Sequence, residues 1–291
     1  LRFTRPLAAG QDFDALIVVS GPDQAVVKGS WVLDDSAKRL HFPYVEASRK
    51  YRVALAAGLA AADGSTLGAE QVRELDTAPV EPAVGFASQG SVLPARDTRG
   101  LPVVSVNVPE VDVEFLRVRD EEVANFFVSY QRGGRRGGWE LSESRWQGRA
   151  ALTRVAEPVY LNRFVLGGGP NERRLSYLPV QNIAELQKPG VYFALMRRVG
   201  AYEEDYDTAI FFVSDLGLHV RAYRDQVFVH AASLKTGQGA GDVALEVLDR
   251  AGEAVVRAGT DASGNALVAY KLDAGHVLVA RKGNDVSVLP F

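Results

Sequence analysis

Four histidines are the first groups to weigh for acid–base work or metal ligation: His41, His219, His230 and His276. They are scattered along the chain, and no two stand at a metal-ligand spacing. His219 alternates out of an apolar strand pattern and reads as a surface residue. Gly237, Gly239 and Gly241 could form a phosphate-cradling loop, but such a cradle needs a following helix whose first N–H groups point at the anion. No helical pattern follows, so these glycines read as a hairpin loop. Glu203, Glu204, Asp205 and Asp207, around Tyr202 and Tyr206, offer hard oxygens of the kind calcium takes. The EF-hand spacing is missing, and a solvated turn between two strands is the simpler reading. Ser88, Ser91 and Ser105 lack the strand-to-helix elbow that exposes a nucleophilic serine. With no cysteine in the chain, disulfides, thiolate-bound zinc and thiol nucleophiles are excluded together. The residue types predict no catalytic, cofactor-binding or metal site, and no enzyme.

Groups suited to binding are few as well. Arg132, Arg135 and Arg136 stand among Gly133, Gly134, Gly137 and Gly138, and a cluster of this kind reads as a solvated hairpin tip. Trp139 and Trp146 lie beside it. Exposed, they could stack on sugar rings, so an adhesin-like or carbohydrate-binding module of a surface protein is the alternative function. Packing of both beneath the loop is the plainer expectation. A net charge of −3 argues against nucleic acid as a partner. No apolar run approaches the roughly 18 residues that span a bilayer. The chain opens at Leu1 rather than methionine, as expected of a mature form or a fragment.

The elements that would have to position such groups are short strands. The first block, Leu1 to about Thr77, carries apolar runs at Ala15 to Val19, Trp31 to Leu33, Leu40 to Tyr44 and Tyr51 to Leu59, with turn residues between them. Pro79 and Pro82 stiffen the connector after it. In the second block, to Ser214, Pro109 separates two alternating strands centred on Val103 to Val108 and Val113 to Arg117. Asp120 is placed to cap a helix in which Val123, Phe126, Phe127 and Tyr130 share one face. A second helical turn is expected over Asn182 to Leu186. Val191, Phe193 and Leu195 then alternate with Tyr192, Ala194 and Met196, as in an antiparallel strand facing one core. In the third block, Leu216 to Phe291, six or seven short strands in about 75 residues match an immunoglobulin-like sandwich.

Between the second and third blocks lies an abrupt seam. Ile210 to Val213 form a β-branched and aromatic run, and only three residues on, Leu216, Leu218, Val220 and Ala222 begin a new alternation. No flexible linker fits in that space. Two sandwiches joined in this way would form a rigid rod, the shape of a scaffold.

The seam itself, Phe212-Val213-Ser214-Asp215-Leu216-Gly217-Leu218-His219-Val220-Arg221, resembles the passage between amino-terminal macroglobulin domains in bacterial alpha-2-macroglobulins. Ser233-Leu234-Lys235-Thr236-Gly237, Val243 to Leu248 and Thr260-Asp261-Ala262-Ser263-Gly264 are similar to the same family. So are Leu101 to Val108, Phe115 to Val118, Asn171-Glu172-Arg173, Tyr177 to Val180 and Pro189 to Tyr192, while Tyr51-Arg52-Val53 and Asp63-Gly64 match more loosely. The resemblance implies an all-β chain of tandem antiparallel immunoglobulin-like macroglobulin sandwiches, with one or two short helices in the middle domain. The expected domains are 1–82, 83–215 and 216–291. It further implies a non-enzymatic scaffold or docking fragment of a periplasmic, inner-membrane-associated protease inhibitor. In such proteins a protease cleaves a bait segment and is then caged, in some members with a thioester. The absence of cysteine places any thioester outside this chain, and no segment reads as bait. The implied partners are target proteases, met through the full-length protein, and other periplasmic or membrane-associated proteins. Membrane contact would come only through an anchor outside these residues.

Overall fold

The computed structural model describes residues 1–87, 91–94, 100–124, 126–128, 148–201 and 206–291. The chain forms two compact units, Leu1–Glu81 with Gly169–Glu172, and Pro82–Gly168 with Arg173–Phe291. Among the described residues no helix is long and apolar enough to cross a membrane.

In the first unit, α1 (Phe13–Leu16) leads into β1 (Ile17–Ser20), followed by β2 (Val32–Leu33), β3 (Leu40–His41), β4 (Lys50–Leu55) and β5 (Gln71–Asp76). The sequence pattern places a strand from Ala15, but the Asp12 carboxylate accepts the N–H groups of Asp14 and Ala15 and caps a helical turn there instead. The strand therefore starts two residues later. Strands β1, β4 and β5 form one antiparallel sheet, while β2 and β3 pair separately. On β4, Tyr51 and Val53 point inward and Lys50 and Arg52 outward. Ile17, Val19, Leu40, Tyr51 and Val53 join Leu7 and Leu59 in a small core. Of the alternating Leu40–Phe42–Tyr44 run, only the first position is paired as strand. The rings nonetheless stay in register, Phe42 lying 4.9 Å from Trp31 and 5.3 Å from Tyr44.

The second unit continues with β6 (Ala83–Phe86), β7 (Ser91–Pro94), β8 (Leu101–Val106) and β9 (Glu110–Val118), then α2 (Gly148–Val155), β10 (Ala156–Val165), β11 (Arg174–Leu178), β12 (Gly190–Arg198) and β13 (Asp207–Ser214). After these come β14 (Leu216–Ala222), β15 (Val227–Ser233), β16 (Ala244–Leu248), β17 (Ala254–Gly259), β18 (Asn265–Val268), β19 (Val277–Lys282) and β20 (Asp285–Pro290). Residues 123–124 and 126–128 are helical, with Val123 and Phe127 of the expected apolar face buried, while Tyr130 lies outside the described residues. The helical residues begin at Val123, and the Asp120 carboxylate pairs with Arg117 at 2.7 Å. Over 180–187 the chain makes two 3-10 turns, Val180–Asn182 and Ala184–Gln187. The α2 helix is absent from the sequence reading.

Among the described residues, four sheets stack in this unit. Their orders are β11-β8-β6, β10-β9-β12-β13-β7, β17-β16-β19-β20 and β14-β15-β18. Pairing among the described residues is antiparallel apart from β13 with β7. Leu101, Val103 and Leu178 of the first sheet pack on Val113, Phe115, Tyr192, Ala194 and Phe211 of the second. The other face of the second sheet, through Leu116, Val191, Phe193, Leu195, Ile210 and Phe212, packs on Leu248, Val277, Val279, Val286 and Val288 of the third. The back of the third sheet, through Leu245, Val247, Leu278 and Ala280, closes on Leu216, Val227, Val229 and Ala231 of the fourth. This overturns the expectation that β12 faces one core. Residues Gly190 to Met196 are buried without a break, because this strand has a core on each side. A strand covered on both faces has no solvated position to hold a polar residue, so its sequence is apolar throughout.

Candidate functional site

The seam is the most elaborately built feature of the second unit. Strand β13 ends at Ser214 and β14 starts at Leu216, so Asp215 alone carries the chain from the second sheet to the fourth. Strand β20, at the edge of the intervening sheet, supplies the anchor. Ser214 Oγ donates to Asp285 Oδ1 at 2.7 Å and accepts the Leu216 N–H at 2.9 Å. The Asp215 N–H donates to Asp285 Oδ2 at 2.8 Å. The Asp215 carboxylate in turn accepts Ser233 Oγ at 2.8 Å and the Lys235 N–H at 2.9 Å, and its carbonyl accepts the Leu234 N–H at 2.8 Å. Ser214 is 1% exposed, so its hydroxyl has no water to turn to. Bonds to an ionised carboxylate are roughly twice as strong as neutral ones, and two of them converge on Asp285. Gly217 completes the bend, since a Cβ there would lie 2.6 Å from Leu234 Cδ2.

A second polar anchor sits on the same joint. Arg117 Nη2 donates to Asp120 Oδ1 at 2.7 Å and to the Pro189 carbonyl at 3.0 Å, while its Nε is buried without a partner. Gly190 makes room for the guanidinium, because a Cβ there would stand 2.9 Å from Nε. The neighbouring Tyr192 hydroxyl donates to the Lys188 carbonyl at 2.7 Å. Burial pushes this phenol above its ordinary pKa, against the opposing pull of the Arg117 charge. From the third block, Arg281 Nη2 reaches the Asp120 carbonyl at 3.4 Å. The arrangement fixes the backbone carbonyls of Pro189, Lys188 and Asp120.

The residues weighed for chemistry fall as follows. His41 and His219 are exposed, and His219 Nε2 accepts from Arg221 Nε at 3.1 Å. Strand pairing sets His219 directly opposite His230, a juxtaposition that their spacing in the sequence conceals. His230 Nδ1 lies 2.8 Å from Asn265 Oδ1, where the ring nitrogen donates. His276 Nδ1 accepts the Asp273 N–H at 2.9 Å. Among the described residues no group of three histidines or acids could hold a metal ion. Ser105 is buried inside β8. Asp207 belongs to no solvated turn: its carboxylate accepts the Phe86 N–H, at the unpaired edge of β6, and the Thr208 N–H. Ser88, Glu203, Glu204 and Asp205 lie outside the described residues, as do the Arg132 to Arg136 cluster, Trp139 and Trp146.

The glycine stretch is indeed a hairpin loop, and Ala232 bridges to Gly239 across it. The loop lies on the Asp261 to Gly264 turn so closely that a Cβ on Gly239 would come within 2.0 Å of the Ser263 carbonyl oxygen. Gly237, at φ +70°, has open space around it. Gly239→Ala should therefore cost about 2–3 kcal/mol, from backbone displacement, and Gly237→Ala about 1 kcal/mol, from φ strain alone. Chemical denaturation of the two variants checks this, and equal costs would contradict the close approach.

Three family models match in succession: the bacterial alpha-2-macroglobulin MG1 domain over residues 1–79, the MG2 domain over 85–211 and the MG3 domain over 213–291. An alpha-2-macroglobulin of Xylella fastidiosa is 52% identical over 291 residues, which is 100% of this chain and 18% of that protein. The Escherichia coli alpha-2-macroglobulin is 30% identical over 289 residues, 99% of this chain and 17% of that one. This chain thus spans less than a fifth of the length of these relatives. A crystal structure of native Escherichia coli alpha-2-macroglobulin spanning domains MG0, NIE and MG1 superposes with a TM-score of 0.64 at 30% identity, covering 100% of this chain and 90% of that one. Salmonella alpha-2-macroglobulin, as a point mutant, superposes with a TM-score of 0.77 at 29% identity, covering 100% of this chain and 17% of that one. With the family's domains matched end to end, and its β-sandwiches found in the fold, the chain belongs to the bacterial alpha-2-macroglobulins.

Proposed function

We propose that residues 1–291 are a non-enzymatic amino-terminal scaffold in a periplasmic protease inhibitor that traps attacking proteases. The observation that carries this reading is the unbroken succession of three macroglobulin domain matches along the chain. The core shared by the second and third blocks supports it physically. A trap that rearranges around a protease needs parts that stay fixed while others move, and a sheet buried on both faces yields little. Any thioester lies elsewhere in the polypeptide, since these residues contain no cysteine. An anchor outside these residues would hold the protein at the inner membrane.

Trypsin tests the reading. The full-length protein should suppress trypsin cleavage of a large protein substrate and leave hydrolysis of a small chromogenic peptide largely intact, as expected of a caged enzyme with a free active site. Residues 1–291 alone should suppress neither. Stoichiometric inhibition by the isolated chain would contradict the scaffold assignment, and failure of the full-length protein to shield the large substrate would contradict the trap. Release of the protein with the cytosolic fraction rather than with the cell envelope would contradict the location.

A further inference from the structure

The first sheet of the second unit, β11-β8-β6, turns one face to the core and the other away from it. Inward lie Val84, Phe86, Leu101, Val103 and Leu178. By the alternation of side chains along each strand, Gly85, Pro102, Val104, Leu175 and Tyr177 lie on the opposite face. Register joins them into one continuous patch: Leu175 faces Val104, Tyr177 faces Pro102, and Gly85 faces Val104 from the other side. Ala83 and Val106 extend the patch as a further facing pair. None of these positions is itself charged; the Asp207 carboxylate borders the patch at β6, its Oδ2 3.0 Å from where a Gly85 Cβ would stand. Leu175 is 51% exposed and Tyr177 39% exposed.

The composition is unlike that of the solvated sheet face in the first unit, where β4 places Lys50 and Arg52 outward. An antiparallel sheet with one wet face normally carries polar residues there, and a contiguous apolar patch marks an interaction site. The same unit shows how such a face is covered. The outer face of the third sheet, with Val277, Val279, Val286 and Val288, is closed by the apolar face of the second sheet, which belongs to the neighbouring block.

We propose that the Pro102–Val104–Leu175–Tyr177 face is an intramolecular docking surface, covered in the full-length polypeptide by an apolar sheet face of another β-sandwich domain outside residues 1–291. Two observations select this occupant. The matched stretch is 18% of the Xylella protein, so most of such a polypeptide lies outside it and is tethered close by. The absence of charge calls for an apolar partner, and tethering raises the effective concentration of a weakly complementary face into the range where it stays bound. The inference rests on the scaffold reading only in taking its occupant from the same chain.

Residues 1–291 contain no cysteine, which makes thiol labelling a clean probe. Leu175→Cys on this face and Leu267→Cys on β18, where the leucine is 65% exposed, should react with a maleimide at similar rates in isolated residues 1–291. In the full-length protein, with peptides resolved by mass spectrometry, Leu175→Cys should react at least tenfold more slowly than Leu267→Cys. Equal rates in the full-length protein would overturn the proposal. Slowing in the isolated chain that grows with protein concentration would also overturn it, by making a second copy the occupant. Backbone hydrogen exchange over 101–106 and 174–178 in unsubstituted protein gives the same comparison without a mutation. Trypsin shielding by the same full-length preparations separates the two readings. Fast labelling with intact shielding fails the docking surface alone, and slow labelling without shielding fails the inhibitor alone.

Discussion

Phe193→Ala is expected to lower the unfolding free energy of the second unit by about 3–5 kcal/mol, and to loosen the second and third blocks together. Phe193 is fully buried in the core between the second and third sheets, with its ring 5.1 Å from that of Phe126. The substitution removes a large apolar surface from a core shared by β9, β12 and β13, the helical residues Val123, Phe127 and Leu152, and β16, β19 and β20. Neither sheet can move into the cavity without disturbing a second core on its other face. The cost should therefore fall near the upper part of the range for such truncations. Truncating Leu267, exposed on β18, should stay within about 0.5 kcal/mol. Urea denaturation followed by peptide-resolved hydrogen exchange distinguishes the outcomes. Loss of protection confined to 190–198, with 277–290 unchanged, would show that the two blocks do not share their stability.

The second large effect belongs to Asp285. Its carboxylate accepts Ser214 Oγ and the Asp215 N–H at 2.7 and 2.8 Å. Hydrogen bonds to a charged group contribute about 1.5–3 kcal/mol each, and a buried donor left unpaired adds its own penalty. Asp285→Ala should thus cost about 3–4 kcal/mol. Asp285→Asn keeps one acceptor oxygen and should cost roughly half as much. Limited proteolysis gives an independent readout, because the peptide bonds around Asp215 should become cleavable in the alanine variant before the strands on either side do. An alanine variant with unchanged denaturation midpoint and an intact seam would show that the apolar contacts hold the joint unaided.

The seam was legible in the sequence because it is local. An apolar run, one polar step and a new alternation within Ile210 to Ala222 announce that one strand stops and another starts. What holds it was not legible. Asp285 stands in Gly283-Asn284-Asp285, a string that spells a turn, and its partners lie 70 and 71 residues away. Only the pairing of β19 with β20 brings that carboxylate to the seam. The two-sided burial of β12 was missed for a related reason. Val191, Phe193 and Leu195 and their alternates Tyr192, Ala194 and Met196 are apolar alike, and this is itself the sign of a strand with two cores. Reading one set as core and the other as surface discarded that signal. The pairing of His219 with His230 follows from register across β14 and β15, which depends on the length of the hairpin and not on either residue. In the first unit, Asp12 as a helix cap competes with the apolar period starting at Ala15, and a capped turn displaces the first two residues of the strand. Local chemistry of this kind is visible in the sequence once the N-cap is weighed against the alternation.

The second and third blocks should unfold as one cooperative body across the seam. Native-state hydrogen exchange of residues 1–291, followed as a function of low urea concentration, addresses this directly. Amides of Phe115 and Phe193, in the second block, should open with the same free energy and the same denaturant dependence as those of Val279 and Val288, in the third. A third block that opens at lower free energy, with a shallower urea dependence, while Phe115 and Phe193 remain protected, would contradict it.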